Sequence, residues 1–243
     1  MKISNRVTVW AIPAAVLLFS CSSLSEVSGM LSTVEALATP DASGVSNTAP
    51  ASTADSSGTI LFEDDFSDDS KGWGAVTDEY GTTGFSDGAY IISVADSMSY
   101  LLADPDTAGT YTDVSIEVDI LASDETPHDM GVICRYQDDD NFYYLIISSD
   151  GYYAVGKFKD GEDLLVELDE MPADENGVIQ TGMAANHLRA DCVGDTLTLY
   201  ANGKQLLEVQ DSDFSEGGVG LIAGSYDDAP IIVLFDNFIV KKA

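Results

Sequence analysis

The chain has 243 residues, with 42 Asp and Glu against 10 Lys and Arg, a net charge of −32 at pH 7. Such a surface repels phosphate backbones and excludes nucleic-acid partners, and it disfavours electrostatic attachment to anionic lipid. A hydrophobic share of 45 % with 9 % aromatic residues supports a packed core and excludes a wholly disordered protein.

The N-terminus carries two positive charges in MKISNR and then an uncharged apolar run, Val7 to Ser20. That run is shorter than the ~20 residues of a membrane span and matches the hydrophobic region of a signal peptide. Residues 1–20 are therefore predicted to be a lipoprotein signal peptide. Leu18-Phe19-Ser20-Cys21 resembles a bacterial lipobox, which makes Cys21 the lipidated residue of the mature chain. The predicted location is the bacterial cell envelope, lipid-anchored through Cys21 and facing outside the cytoplasm. Residues 21–58 are predicted to be a tether: of residues 22–59, 26 of 38 are Ser, Thr, Ala, Gly or Pro and none is aromatic. Such a segment buries too little apolar surface to offset its chain entropy. Within it Leu24, Val27, Leu31, Val34 and Ala38 recur at helical spacing.

From residue 59 the period changes to two. Val114, Ile116, Val118 and Ile120 alternate with Ser115, Glu117 and Asp119, the pattern of a half-buried strand. Met130 to Lys159 reads as three consecutive strands, at 131–136, 142–148 and 152–157, joined by tight acidic turns. Further strands are predicted at 60–66, 88–94, 99–102, 164–168, 187–193, 196–201, 204–209, 218–223 and 231–241. Turn signals such as Ser86-Asp87-Gly88, Asp160-Gly161 and Asn202-Gly203 separate them. Short strands at this spacing predict an antiparallel two-sheet sandwich over residues 59–243.

Alternation turns Cys134 and Cys192 toward the core. If their strands meet, an oxidising compartment would join them in a disulfide; two buried thiols are the alternative. By the same phase Arg135 points outward, and one member each of Tyr143-Tyr144 and Tyr152-Tyr153 reaches the outer face. Rings beside Arg135 and acids are what a pyranose platform needs, so Arg135, Tyr143, Tyr152, Glu117 and Asp119 form the candidate ligand-binding set. Cross-strand aromatic pairs that only stabilise the sheet are the alternative.

Asp64-Asp65-Phe66-Ser67 with Gly72-Trp73 resembles the opening strand of concanavalin A-like jelly-roll domains. Gly131-Val132-Ile133-Cys134-Arg135-Tyr136 with Asn141-Phe142-Tyr143-Tyr144 is similar to their central hairpin. Asn186-His187-Leu188-Arg189, Tyr200-Ala201-Asn202-Gly203, Gly218-Val219-Gly220-Leu221 and Phe235-Asp236-Asn237-Phe238 follow in the same order. The resemblance, which extends to laminin G-like and 3-keto-disaccharide hydrolase-like domains, implies an all-β jelly roll with a concave face that often meets glycans.

The glucanases of that fold use Glu-x-Asp-x-Glu on one strand. Glu117 and Asp119 match the first two positions, about 6.6 Å apart by strand rise, but Leu121 stands where the proton donor belongs. Retaining chemistry needs both carboxyls, so no confident catalytic set emerges. No cofactor is called for. Calcium is the one metal that suits the oxygen donors, with Asp65 near the first strand and Asp236 near the last as the candidates. Three functions follow: a binder of glycan or of a cell-envelope protein, a glycoside-hydrolase-like enzyme, or a structural envelope module.

Overall fold

The computed structural model describes residues 58–122 and 125–243. The signal peptide, Cys21 and the tether up to residue 57 lie outside the described residues, as does the stripe from Leu24 to Ala38.

Fifteen strands and no helix occur among the described residues: β1 (Ile60–Asp64), β2 (Val76–Thr77), β3 (Gly81–Ser86), β4 (Ala89–Val94), β5 (Ser99–Ala103), β6 (Val114–Ala122), β7 (His128–Asp138), β8 (Asn141–Ser148), β9 (Tyr153–Lys159), β10 (Glu162–Leu165), β11 (Ala185–Val193), β12 (Thr196–Ala201), β13 (Lys204–Gln210), β14 (Gly218–Ser225) and β15 (Ile231–Lys242). They form two antiparallel sheets. The larger, nine-stranded sheet runs β13-β12-β11-β6-β15-β4-β3-β2, with β1 also on β15. The smaller, six-stranded sheet runs β10-β9-β8-β7-β14-β5. This is a concanavalin A-like jelly-roll sandwich.

The strands follow from the period-two pattern. On β6, Ile116, Val118 and Ile120 are buried between the sheets, and so are Leu188, Ala190 and Cys192 on β11. Met130, Val132 and Cys134 on β7, with Tyr143, Leu145 and Ile147 on β8, face them from the smaller sheet. Cys134 and Cys192 are bonded across the core, so one covalent link joins the two sheets.

At one end of the core, Trp73 is fully buried among Phe62, Phe66, Tyr90 and Phe238, with ring centroids 5.0–6.4 Å from its own. Its indole N–H donates to Asp64 Oδ2 at 2.8 Å, and the Phe66 amide donates to Oδ1 at 2.9 Å. A buried indole needs such an acceptor, which gives the Asp64-to-Trp73 motif a structural role.

β2 and β3 were not among the expected strands. Gly81-Thr82-Thr83-Gly84 lacks an apolar alternation, yet β3 pairs with β4 along its whole length through the turn at Asp87-Gly88. Tertiary pairing overrides the weak strand propensity of glycine there.

Candidate functional site

The two outer faces of the sandwich differ, and the difference locates the site. On the outer face of the nine-stranded sheet, Glu117 is buried and accepts from Lys241 Nζ at 2.9 and 2.8 Å. Asp119 Oδ1 lies 2.7 Å from His187 Nδ1, and its Oδ2 accepts from Asn237 at 3.0 Å. Burial works against the Asp119 anion, but these partners hold its carboxyl below the usual range. Glu117 and Asp119 thus share a face and are committed to partners on it. The glucanase-like pattern they begin stays incomplete at Leu121, which sits on the same face half-buried.

Arg135 and Tyr143 differ from their predicted places. Arg135 is 2 % exposed, and its guanidinium donates to the carbonyls of Phe214 at 2.7 Å and Gly194 at 2.5 Å. The cause is a bulge. Arg135 has φ of +52°, the β7–β8 register shifts between Cys134 and Asp138, and Gly217 receives the kink so closely that a Cβ there would lie 2.3 Å from the Arg135 carbonyl carbon. Strict alternation fails at such a residue, so Arg135 turns back to the sandwich edge and ties loops together.

Tyr143 is directly opposite Cys134 and therefore shares its inward face. Its hydroxyl donates to Asp211 at 2.6 Å. Tyr144, its neighbour, takes the outer face. Tyr152 is 40 % exposed on the β8–β9 turn, while Tyr153 packs on the core. The five candidate residues do not form one site: they divide between an outer face, the interior edge and a turn.

Asp65 and Asp236 approach each other because β1 pairs with β15, and the Asp65 charge contributes to raising Asp236. Among the described residues, no group of three or more His, Cys, Asp or Glu side chains converges as a metal site.

The outer face of the six-stranded sheet is different in kind. Here lie Ile133, Phe142, Tyr144, Ile146, Ala154, Phe158 and Ile222, a second apolar cluster with Tyr100, Leu102, Tyr136, Leu165 and Met171 partly buried against it. Tyr100 on β5 and Phe158 on β9 have ring centroids 6.1 Å apart. Four strand spacings separate those strands, roughly 19 Å in a flat sheet. The sheet must curl, and this face is concave. Tyr100 and Tyr144 stack with centroids 6.3 Å apart and planes 26° apart. Each ring lies over a glycine: a Cβ on Gly224 would meet Tyr100 at 2.2 Å, and one on Gly156 would meet Tyr144 at 2.1 Å.

Each tyrosine hydroxyl ends on a carboxylate. Tyr100 donates to Asp129 Oδ2 at 3.0 Å, Tyr144 to Asp163 at 2.6 Å and Tyr136 to Asp139 at 2.6 Å. Tyr226 donates to Asp129 Oδ1. Asp129 is 1 % exposed. Desolvation pushes its carboxyl up to about 7, and the nearby Asp150 and Asp163 charges add to the rise. Asp104, beyond the end of β5, is pushed up to about 6 by desolvation and by Asp106 and Asp139. Burial likewise raises Asp163. Perturbed carboxyls beside aromatic rings on a concave face mark a site candidate.

Asp129 escaped the sequence reading because β7 was expected to begin at Gly131. Extending the alternation two residues upstream puts Asp129, Gly131 and Ile133 on the face opposite Met130, Val132 and Cys134.

No family model matches the sequence, and no curated protein matches it. Solved structures do match. The carbohydrate-binding module CBM66 from Bacillus subtilis aligns with a TM-score of 0.53 and 22 % identity, covering 71 % of this chain and 96 % of that one. A Bacillus licheniformis β-glucanase aligns with a TM-score of 0.54 and 12 % identity, covering 76 % and 99 %. A protein described with the endo-acting O-glycanases that human gut microbiota use to initiate mucin breakdown gives 0.55 and 13 %, covering 76 % and 99 %. These similarities place the fold among jelly-roll sandwiches.

Proposed function

We propose that the protein is a glycan-binding module of the cell envelope that takes its ligand on the concave face of the six-stranded sheet. One observation carries this reading: the partly exposed rings of Tyr100 and Tyr136 stand beside carboxylates Asp129, Asp139 and Asp163 on that face. A pyranose presents an apolar face for stacking and a rim of hydroxyls for such acceptors. Structures that share the fold include a carbohydrate-binding module and a β-glucanase, which is consistent with it. Lipid anchoring through Cys21 rests on the sequence of the N-terminus, and the Cys134–Cys192 disulfide favours a compartment outside the cytoplasm.

The test is a glycan array probed with the purified full-length chain in detergent. Binding is expected, and Tyr100→Ala should weaken it at least about tenfold, the equivalent of 1.4 kcal/mol. Binding that survives Tyr100→Ala unchanged removes the concave face from consideration.

A second reading, a glycoside-hydrolase-like enzyme, is favoured by one specific observation: two carboxyls on this face, Asp129 and Asp163, both lie above the ordinary range. Glycosidases need one protonated and one ionised carboxyl. Release of reducing ends from an array hit, abolished by Asp129→Asn, would favour it. Binding without turnover leaves the module.

A further inference from the structure

The arrangement around Asp129 has a chemical consequence for how this face meets a ligand. Asp129 sits at the start of β7, in one rung across the smaller sheet with Gly224 on β14 and Ser148 on β8. Tyr100 enters from β5 and Tyr226 from the segment after β14, and each hydroxyl takes one carboxyl oxygen. On the β8 side, Ser148 donates to Asp150, and Asp163 approaches from β10 with Tyr144 on its carboxyl. His128 precedes Asp129 on the opposite side of the strand, its Nδ1 at 2.6 Å from the Thr126 carbonyl. The charged groups that act on Asp129 are thus other carboxylates, and its two direct partners are neutral hydroxyls. A buried anion with neutral donors and like-charged neighbours is better off protonated.

We propose that Asp129 is the proton-linked anchor of the concave face: it takes up a proton when a neutral sugar covers it, so that the site holds neutral glycan more tightly on the acid side of neutrality. This rests on the glycan-binding reading above. The physics is direct. A neutral ligand laid over Tyr100 and Tyr226 removes water and adds no charge, so it disfavours the Asp129 anion further. Binding then consumes a proton, and by linkage acid favours binding. The protonated carboxyl also becomes a donor: it needs only one tyrosine hydroxyl as donor to its carbonyl oxygen, which frees the other for a sugar oxygen. An ammonium-bearing ligand would do the reverse, stabilising the anion and releasing a proton.

The ligand-free protein provides the first test. An aspartate that ionises near 3.8 in the unfolded chain and near 7 in the folded one leaves the folded state holding more protons between those values. Stability therefore falls as pH rises through that window and levels off above it. The Tm of the full-length wild type should fall relative to Asp129→Asn between about pH 4 and about pH 7 and run parallel to it above. Parallel curves throughout overturn the proposal. Should Asp129→Asn fail to fold, carbon NMR of the assigned Asp129 carboxyl in the wild type decides the same point; ionisation complete below about pH 5 overturns it.

Calorimetry with a neutral β-glucan oligosaccharide and with a fully deacetylated glucosamine oligosaccharide provides the second test. Glucan affinity should fall between about pH 6 and about pH 9, roughly tenfold for each unit by which the bound sugar raises the Asp129 proton affinity. Asp129→Asn should abolish that slope. Glucan binding with no slope, or with a slope that survives Asp129→Asn, overturns the linkage while leaving glycan binding intact. Binding of the glucosamine oligomer alone, tightening as pH rises, overturns the neutral-sugar assignment. No binding of either at any pH overturns the ligand half of the proposal, and an empty glycan array then removes the glycan reading itself.

Discussion

On the outer face of the nine-stranded sheet, acids stand beside nitrogen: Glu117 with Lys241, Asp119 with His187, Asp191 with Arg189. On the concave face of the six-stranded sheet the acids stand beside phenols: Asp129 with Tyr100 and Tyr226, Asp163 with Tyr144, Asp139 with Tyr136. A cationic partner repays the desolvation of a carboxylate, whereas a phenol satisfies its hydrogen bonds and leaves its charge uncompensated. The shifts of two acids follow their partners: Asp119, hydrogen-bonded to His187 and Asn237, lies below the ordinary value, and Asp129, held by two phenols, lies above it. Glu117, Asp119 and Asp191 thus have nitrogen partners on their own face, whereas Asp129, Asp139 and Asp163 accept from phenols.

The largest expected effect comes from cutting the link between the two sheets. The Cys134–Cys192 bond closes a sequence separation of 58. Replacing both cysteines by alanine should cost about 3–4 kcal/mol through the entropy returned to the unfolded chain, measured by urea denaturation. An unchanged midpoint would mean that the core alone holds the faces together.

Next in size is Glu117→Gln, which leaves the largely buried Lys241 ammonium without its carboxylate. A loss of about 3 kcal/mol is expected, with glycan binding untouched. Adding Lys241→Met should recover much of it, since an apolar pair costs less than a broken ion pair. Loss of glycan binding in the single variant would break the division of labour between the faces.

The smallest is Asp119→Asn, expected to cost about 1 kcal/mol or less because the pair is partly exposed. Its sign with pH separates it from Asp129. A lowered carboxyl contributes stability that is present above the unfolded value of 3.8 and disappears as pH falls through the folded value. The difference between wild type and variant in an acid titration should thus vanish toward low pH, opposite to the Asp129 pair.

The sandwich and its strand order along the chain were legible from alternation and turn residues, and the β7–β8–β9 run lies where Met130 to Lys159 placed it. The parity of Tyr143 was legible too. A two-residue turn pairs Asp138 with Asn141, so an odd residue of β8 shares the face of an even residue of β7, and Tyr143 must follow Cys134 inward. Arg135 was not legible, because a bulge inserts its phase change without any marker in the sequence beyond Gly217 on the partner segment. Nor were β2 and β3, which are respectively only two residues long and interrupted by glycine.

The sequence by itself determined which residues could face a core, because strand alternation is local and each apolar phase can be counted from its neighbours. It also determined the acidity of the surface and the pairs of adjacent tyrosines. Only the tertiary structure decided which acids meet nitrogen and which meet phenols, since those partners lie as far as 124 residues apart, as Glu117 and Lys241 do. It also decided that the six-stranded sheet curls, bringing Tyr100 on β5 and Phe158 on β9 together although four strand spacings separate them. Asp129 gains its significance there: one acid among 42 in the sequence, it becomes a buried, phenol-clamped carboxyl once β5, β7 and the end of β14 come together.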